Sequence, residues 1–185
     1  MRNTLSAQQT AFYSKNGYIE FEIPQKLPPC DIARDQWRKH PKVQEFLVRK
    51  LGPIALALTS RKQLLLACDQ WITKENKPEK PCLLKEMFSI QGLAIGVAIA
   101  ENQTIPTQKS PLGILPLPEP GQILFFRPDI ILDWPHLASD VYLAVFALPN
   151  AVYAHNSRDP ATNFLKQFGY NYGDVLKNET HPIVM

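Results

Sequence analysis

Glycine, cysteine and histidine are all scarce in this chain of 185 residues, at 8, 3 and 4 copies. With so little glycine there is no G-x-G-x-x-G or G-x-x-x-x-G-K-[ST] run to cradle phosphates, and the G-x-S-x-G elbow of a serine hydrolase is absent too. Nucleotide-dependent dehydrogenases, P-loop NTPases and α/β-hydrolases therefore lose their basis in sequence. Cys30, Cys68 and Cys82 are odd in number, far apart and without metal-ligand spacing. That pattern argues against a disulfide framework and for reduced thiols in a cytosolic protein. Long apolar runs are missing as well: the greasiest stretch, IQGLAIGVAIA at residues 90–100, is broken by Gln91 and is too short to span a bilayer. The opening MRNTLSAQQT has no apolar core of the kind a signal peptide needs. A soluble, cytoplasmic protein without membrane contact is expected.

What the chain does have is ordinary globular composition, 45% hydrophobic and 20% charged, with 17 prolines. Prolines at that density favour stiff turns and strand ends over a helical bundle. The length suits one domain, residues 1–185, able to bury about 70% of its unfolded surface. Charge is uneven. Residues 1–92 carry 15 Lys/Arg against 9 Asp/Glu, and residues 93–185 carry 5 against 8. The basic excess gathers at Arg34, Arg38, Lys39, Lys42, Arg49 and Lys50, a face that could meet phosphates or nucleic acid, although Asp35 and Glu45 interrupt it.

Along the chain, Ser6 and Gln9 have capping-box spacing, which predicts a helix through Phe12 and Tyr13 that stops at Asn16-Gly17. The alternation of Ile19, Phe21 and Ile23 with Glu20 and Glu22 predicts a half-buried strand closed by Pro24. A second helix is expected from Asp31 to His40, and a third from Pro41 with Val43, Phe46, Leu47 and Leu51 inward and Gly52 past its end. From Ile54 the pattern turns to strand: IALAL, QLLLACDQWI and MFSIQGLAIGVAIA, with residues 73–81 an exposed loop. After a proline-rich link at 106–120 come QILFFRPDIIL, a strand interrupted at Pro128 by an edge position or bulge, and VYLAVFAL, a buried strand. A late helix over about 160–168 follows, with Asp159 as cap and Gly169 as stop. The expected class is α+β: a double-stranded β-helix, or jelly-roll barrel, over about 54–155, with the helical part of about 1–52 packed on it.

A family resemblance is carried best by residues 118–148, also by the opening helix and strand, and loosely by residues 64–100. Residues 118–148, PEPGQILFFRPDIILDWPHLASDVYLAVFAL, and the opening helix, Asn-Gly-Tyr and strand resemble the phytanoyl-CoA hydroxylase-like iron(II)/2-oxoglutarate dioxygenases. That resemblance implies iron held by a His-x-Asp/Glu pair and a later His, with a basic residue on the next strand for the far carboxylate of 2-oxoglutarate. This chain departs from each requirement. No histidine falls between Pro41 and Pro135. The residues two places after His40, His136, His155 and His181 are Lys42, Ala138, Ser157 and Ile183, none a carboxylate. In the segment where the ligand pair belongs, residues 83–92, only Glu86 could bind metal, and the distal position falls at Leu132 or Asp133. No Lys or Arg lies between Pro128 and Ser157.

The residues then support three readings. In the first the barrel is noncatalytic, needs no cofactor and binds an unknown small-molecule or protein ligand; Phe125, Phe126, Trp134, Tyr142 and Phe146 either line a cavity for it or form core. In the second it is a nonheme metal-dependent oxygenase with a divergent site: Asp133 and His136, three residues apart, are joined by His155, with Glu86 as a further candidate, holding iron(II) with 2-oxoglutarate. In the third it is a metal-responsive regulator that binds nucleic acid through the basic N-terminal half. His40 and His181 each precede a proline in a turn context and are not expected to be ligands.

Overall fold

The structure, a computed structural model, describes residues 5–22, 26–100 and 110–185. Helix α1, Ala7–Asn16, begins and ends as its sequence dictates: the Ser6 hydroxyl accepts the Gln9 N–H, the Gln9 side chain accepts the Ser6 N–H, and Gly17 closes it at φ 80°. Strand β1, Tyr18–Glu22, follows with Ile19 buried. Ile23 and Pro24 lie outside the described residues.

The segment expected as a second helix is mostly not helical. Only a 3-10 turn forms, at Gln36–Arg38, because Asp69 captures the Gln36 and Trp37 N–H groups at 2.6 and 3.0 Å. Upstream, Arg34 bridges to Gln70, so residues 33–35 run as an extra rail beside the sheet. The third helix does form but passes Gly52. Helix α2, Pro41–Phe46, runs through a π-turn at Leu47–Leu51 into α3, Gly52–Thr59. Pro53 explains the widened turn, since it lacks an N–H for the preceding turn and its ring crowds the carbonyl there. Gly52 is in helical geometry at φ −56°. Its hydrogen faces Val184, whose Cγ1 would sit 2.3 Å from a Cβ, so it serves close packing and not termination. IALAL is thus helix, not strand, and the helical part extends to Thr59, not 52.

The barrel strands are β2, Leu64–Ile72; β3, Ile90–Ala100; β4, Gln122–Phe126; β5, Val141–Tyr153; and β6, Ile183–Val184, with a short helix α4, Leu84–Met87, before β3. They form an antiparallel sheet in the order β1-β4-β3-β5-β2-β6. Register shifts in β2 at Leu66/Cys68 and in β3 on either side of Leu93 bend the sheet into a curl. Strand β4 lies between β1 and β3 and stops at Phe126, so Pro128 follows the strand and does not interrupt it. The expected late helix shrinks to a 3-10 turn at Phe164–Phe168; Asp159 does accept the Ala161 N–H, but the same carboxylate also binds Arg34 and the Ser89 N–H.

Both sheet faces are buried. Alternate residues of β5 divide between them: Tyr142, Ala144 and Phe146 face the helices, whereas Leu143, Val145 and Ala147 face the inside of the curl. That inner face is roofed by α4 and by residues around 115 and 132, joined through isolated bridges Cys82↔Leu132 and Leu115↔Leu132. Gly96 admits the Phe126 ring, whose Cζ would lie 2.3 Å from any Cβ there. Among the described residues no helix is long and apolar enough to cross a membrane.

Candidate functional site

The inside of the curl is where this architecture can host chemistry, and here it is packed with apolar groups. Phe88, Phe126, Leu132 and Trp134 are at most 1% exposed. Of the aromatics expected either to line a cavity or to build core, Phe125, Tyr142 and Phe146 belong to the helix-side core, and Phe126 and Trp134 to the inner one.

Two of the four candidate ligands meet. Asp133 is anchored by its N–H to the Leu115 carbonyl and begins the 3-10 turn Trp134–His136, which brings His136 Nδ1 to 2.8 Å from Asp133 Oδ1. Asp133 is buried and its Oδ2 has no partner among the described residues, while His136 is half exposed. Beside them is a void of about 10 Å³, also walled by Glu119 and Ser139. His155 stands apart, exposed at the end of β5 with its ring edge-on to Tyr172 at 5.3 Å. Glu86 is also apart: Oε2 accepts the Leu83 N–H at 2.9 Å and Oε1 pairs with Arg158. The Leu83 N–H, reinforced by Arg158, holds the Glu86 carboxyl below its ordinary pKa. Among the described residues no three His, Cys, Asp or Glu side chains gather as a metal-binding group.

Sequence reasoning missed the inner charged cluster. Arg34, assigned above to the basic surface, points inward over the Phe88 ring and pairs with Asp159 at 2.7 Å. Asp159, fully buried, also accepts the N–H groups of Ser89 and Ala161 at 2.8 and 2.9 Å. Asn156 binds alongside, its amide donating to the carbonyls of Glu86 and Phe88 at 3.1 and 3.2 Å. Arg38 is likewise withdrawn from the surface, between the Trp37 and Phe168 rings at 4.0 and 4.6 Å. The two arginine contacts join residues more than a hundred positions apart, and no local pattern announces them.

The open space lies elsewhere. Strand β4 pairs with β3 only over Gly96–Ile99, so β3 runs on from Ile90 without a ladder partner on that side while the chain departs at Arg127 to meet Gly17. The fork encloses a cleft of about 420 Å³. Phe88, Ile90, Leu93, Pro128 and Ala154 supply an apolar lining, and Lys85, Gln91, His155 and Asn156 the polar part. Such a volume and such a mixture suit a small organic ligand.

No family model matches the chain, and no curated protein matches it. Solved structures do. The non-heme alpha ketoglutarate dependent carbocyclase SnoK from nogalamycin biosynthesis is similar over 98% of this chain and 97% of its own, with a TM-score of 0.66 at 14% identity. The non-heme alpha ketoglutarate dependent epimerase SnoN of the same biosynthesis is similar over 96% and 98%, with a TM-score of 0.63 at 12% identity. CT296 from Chlamydia trachomatis is similar over 80% and 99%, with a TM-score of 0.51 at 20% identity. The chain therefore has the cupin-like double-stranded β-helix fold, with helices packed on one face of its curled sheet.

Proposed function

We propose that the protein is a noncatalytic binding module on this oxygenase-like scaffold, and that its ligand occupies the fork between β3 and the end of β4. The observation that carries the reading is the contrast between an apolar, filled interior and an open cleft of about 420 Å³ beside it. An iron(II)/2-oxoglutarate site takes three ligands on one face of the metal and a cation for the cosubstrate. The residues present do not fit that group. Glu86 is spent on Arg158 and Leu83, His155 is turned to Tyr172, Leu132 is core, and the inner cation Arg34 is already neutralised by Asp159. Fold alone does not carry function, so a retained barrel is compatible with a binding role.

N-phenyl-1-naphthylamine, an uncharged fluorescent probe, tests the location. It is expected to bind the wild type, and Leu93→Trp or Gln91→Trp, which project an indole into the cleft, should weaken it by about tenfold, equal to about 1.4 kcal/mol. Unchanged binding in both variants would refute the cleft as the site.

One observation favours a second reading, a cation at Asp133. Its buried Oδ2 lacks a donor, an arrangement that costs about 1–3 kcal/mol if nothing answers it. With His136 the pair offers two donors of a nonstandard site, and His136→Ala should then abolish metal uptake. The nucleic-acid reading retains Lys39, Lys42, Arg49 and Lys50 on the surface, since Arg34 and Arg38 are engaged internally.

A further inference from the structure

We infer that the cleft selects a small organic anion with an apolar body, such as an aryl or alkyl carboxylate or sulfonate; this rests on the cleft being the binding site. The charges at its wall decide the sign. Lys85, exposed on α4, lines the cleft, and among the described residues no Asp or Glu does. Its acidic neighbour Glu86 feels the Lys85 charge, but its two oxygens are bonded to the Leu83 N–H and to Arg158, so it offsets the Lys85 ammonium only in part. Among the described residues Lys85 has no carboxylate partner of its own. A cleft with an exposed cation that bonds to no carboxylate among the described residues favours a negative head group, and screening by water makes that preference moderate.

The apolar part of the ligand is set by the other wall. Leu93 of β3, Pro128 and Ala154, the residue just past β5, supply its accessible apolar surface, with Phe88 and Ile90 buried behind them. The floor beneath them is rigid. Asn156 ties the carbonyls of Glu86 and Phe88, and the Ser89 hydroxyl donates to Thr162 at 2.8 Å. At Gly92, φ 86° and the approach of Ala151, whose Cα would lie 3.0 Å from a Cβ, leave no room for a side chain at that one position of β3. A ligand with its charge at one end can therefore lay its body on Leu93, Pro128 and Ala154 and leave its head at the mouth by Lys85.

Two isosteric probes separate this inference from the reading beneath it. 8-Anilino-1-naphthalenesulfonate carries the anilinonaphthalene body of N-phenyl-1-naphthylamine with an added sulfonate. The expected result is that the sulfonate binds about three to ten times more tightly than the neutral probe at low salt. In Lys85→Met that advantage should vanish while the neutral probe binds as before, and raising salt should weaken only the sulfonate. Equal binding of the two probes, both lost in Leu93→Trp, would overturn the anion preference and leave the cleft as a neutral site. Binding of both probes that neither Leu93→Trp nor Gln91→Trp alters would overturn the cleft reading and this inference together.

Discussion

Asp159→Ala lowers the unfolding free energy by about 3–5 kcal/mol, the cost of stripping one partner from a buried ion pair. The carboxylate is fully buried and answers four donors: both terminal nitrogens of Arg34, at 2.7 and 3.4 Å, and the N–H groups of Ser89 and Ala161. Truncation leaves the guanidinium in a pocket floored by Phe88 with only the Asp35 carboxylate, itself paired with Arg38, as counter-charge, and orphans the Ser89 N–H, which is buried. Charge accounts for the larger share, so Asp159→Asn should be less harmful than alanine. The double change Arg34→Met with Asp159→Leu should recover much of the loss, because a buried pair can be replaced by apolar groups at little cost. Urea unfolding of the three variants checks this; a double variant no better than Asp159→Ala would show that geometry, not charge, is what the pair provides.

The second large effect depends on pH and comes from the opposite face of the sheet. Asp69 is buried against the helices and accepts from the Gln36 and Trp37 N–H groups and from the Tyr142 hydroxyl. Those donors favour the ionised form, but burial, helped by the Asp35 carboxylate, outweighs them and pushes Asp69 up to about 7 from 3.8. Between those values the folded chain keeps a proton that the unfolded chain has released. Its stabilising contribution is therefore complete below the unfolded value and is lost as pH rises through about 7. His181 acts in the opposite sense. Burial, together with the Arg38 charge, drops it to about 4 from 6.5, so the stability it gives is present above 6.5 and lost as pH falls toward 4. In the wild type the two groups oppose each other across most of one window. Asp69→Asn removes one of them, and the His181 slope then stands alone. Each pH unit between the two His181 values should cost the variant up to about 1.4 kcal/mol on acidification. Denaturation of wild type and Asp69→Asn from pH 7 to pH 4 decides it: parallel curves would show that Asp69 does not take up a proton on folding.

These two clusters also mark where the sequence stops being legible. The first helix, β1 and the barrel strands were readable because each carries its own signal: a capping box at Ser6, period-two alternation at Ile19, apolar runs at Leu64 and Ile90. Residues 31–40 and 54–58 misled for tertiary reasons. Asp69 takes the N–H groups that a helix at Gln36 would need, and Gly52 meets Val184 instead of ending a helix. At the candidate site, the Asp133–His136 contact follows from spacing within one turn and was visible. Arg34–Asp159 was not, and neither was the cleft, which exists because β4 is shorter than its neighbour β3.

On the proposed binding reading, the interior residues of this barrel do not suit iron and cosubstrate. Anaerobic calorimetric titration of the purified protein with iron(II), then with 2-oxoglutarate, tests it most directly. The account predicts no one-site iron binding and no heat from 2-oxoglutarate. Tight binding of one iron(II), followed by saturable binding of 2-oxoglutarate, would contradict it and would place Asp133 and His136 first among the residues to be substituted.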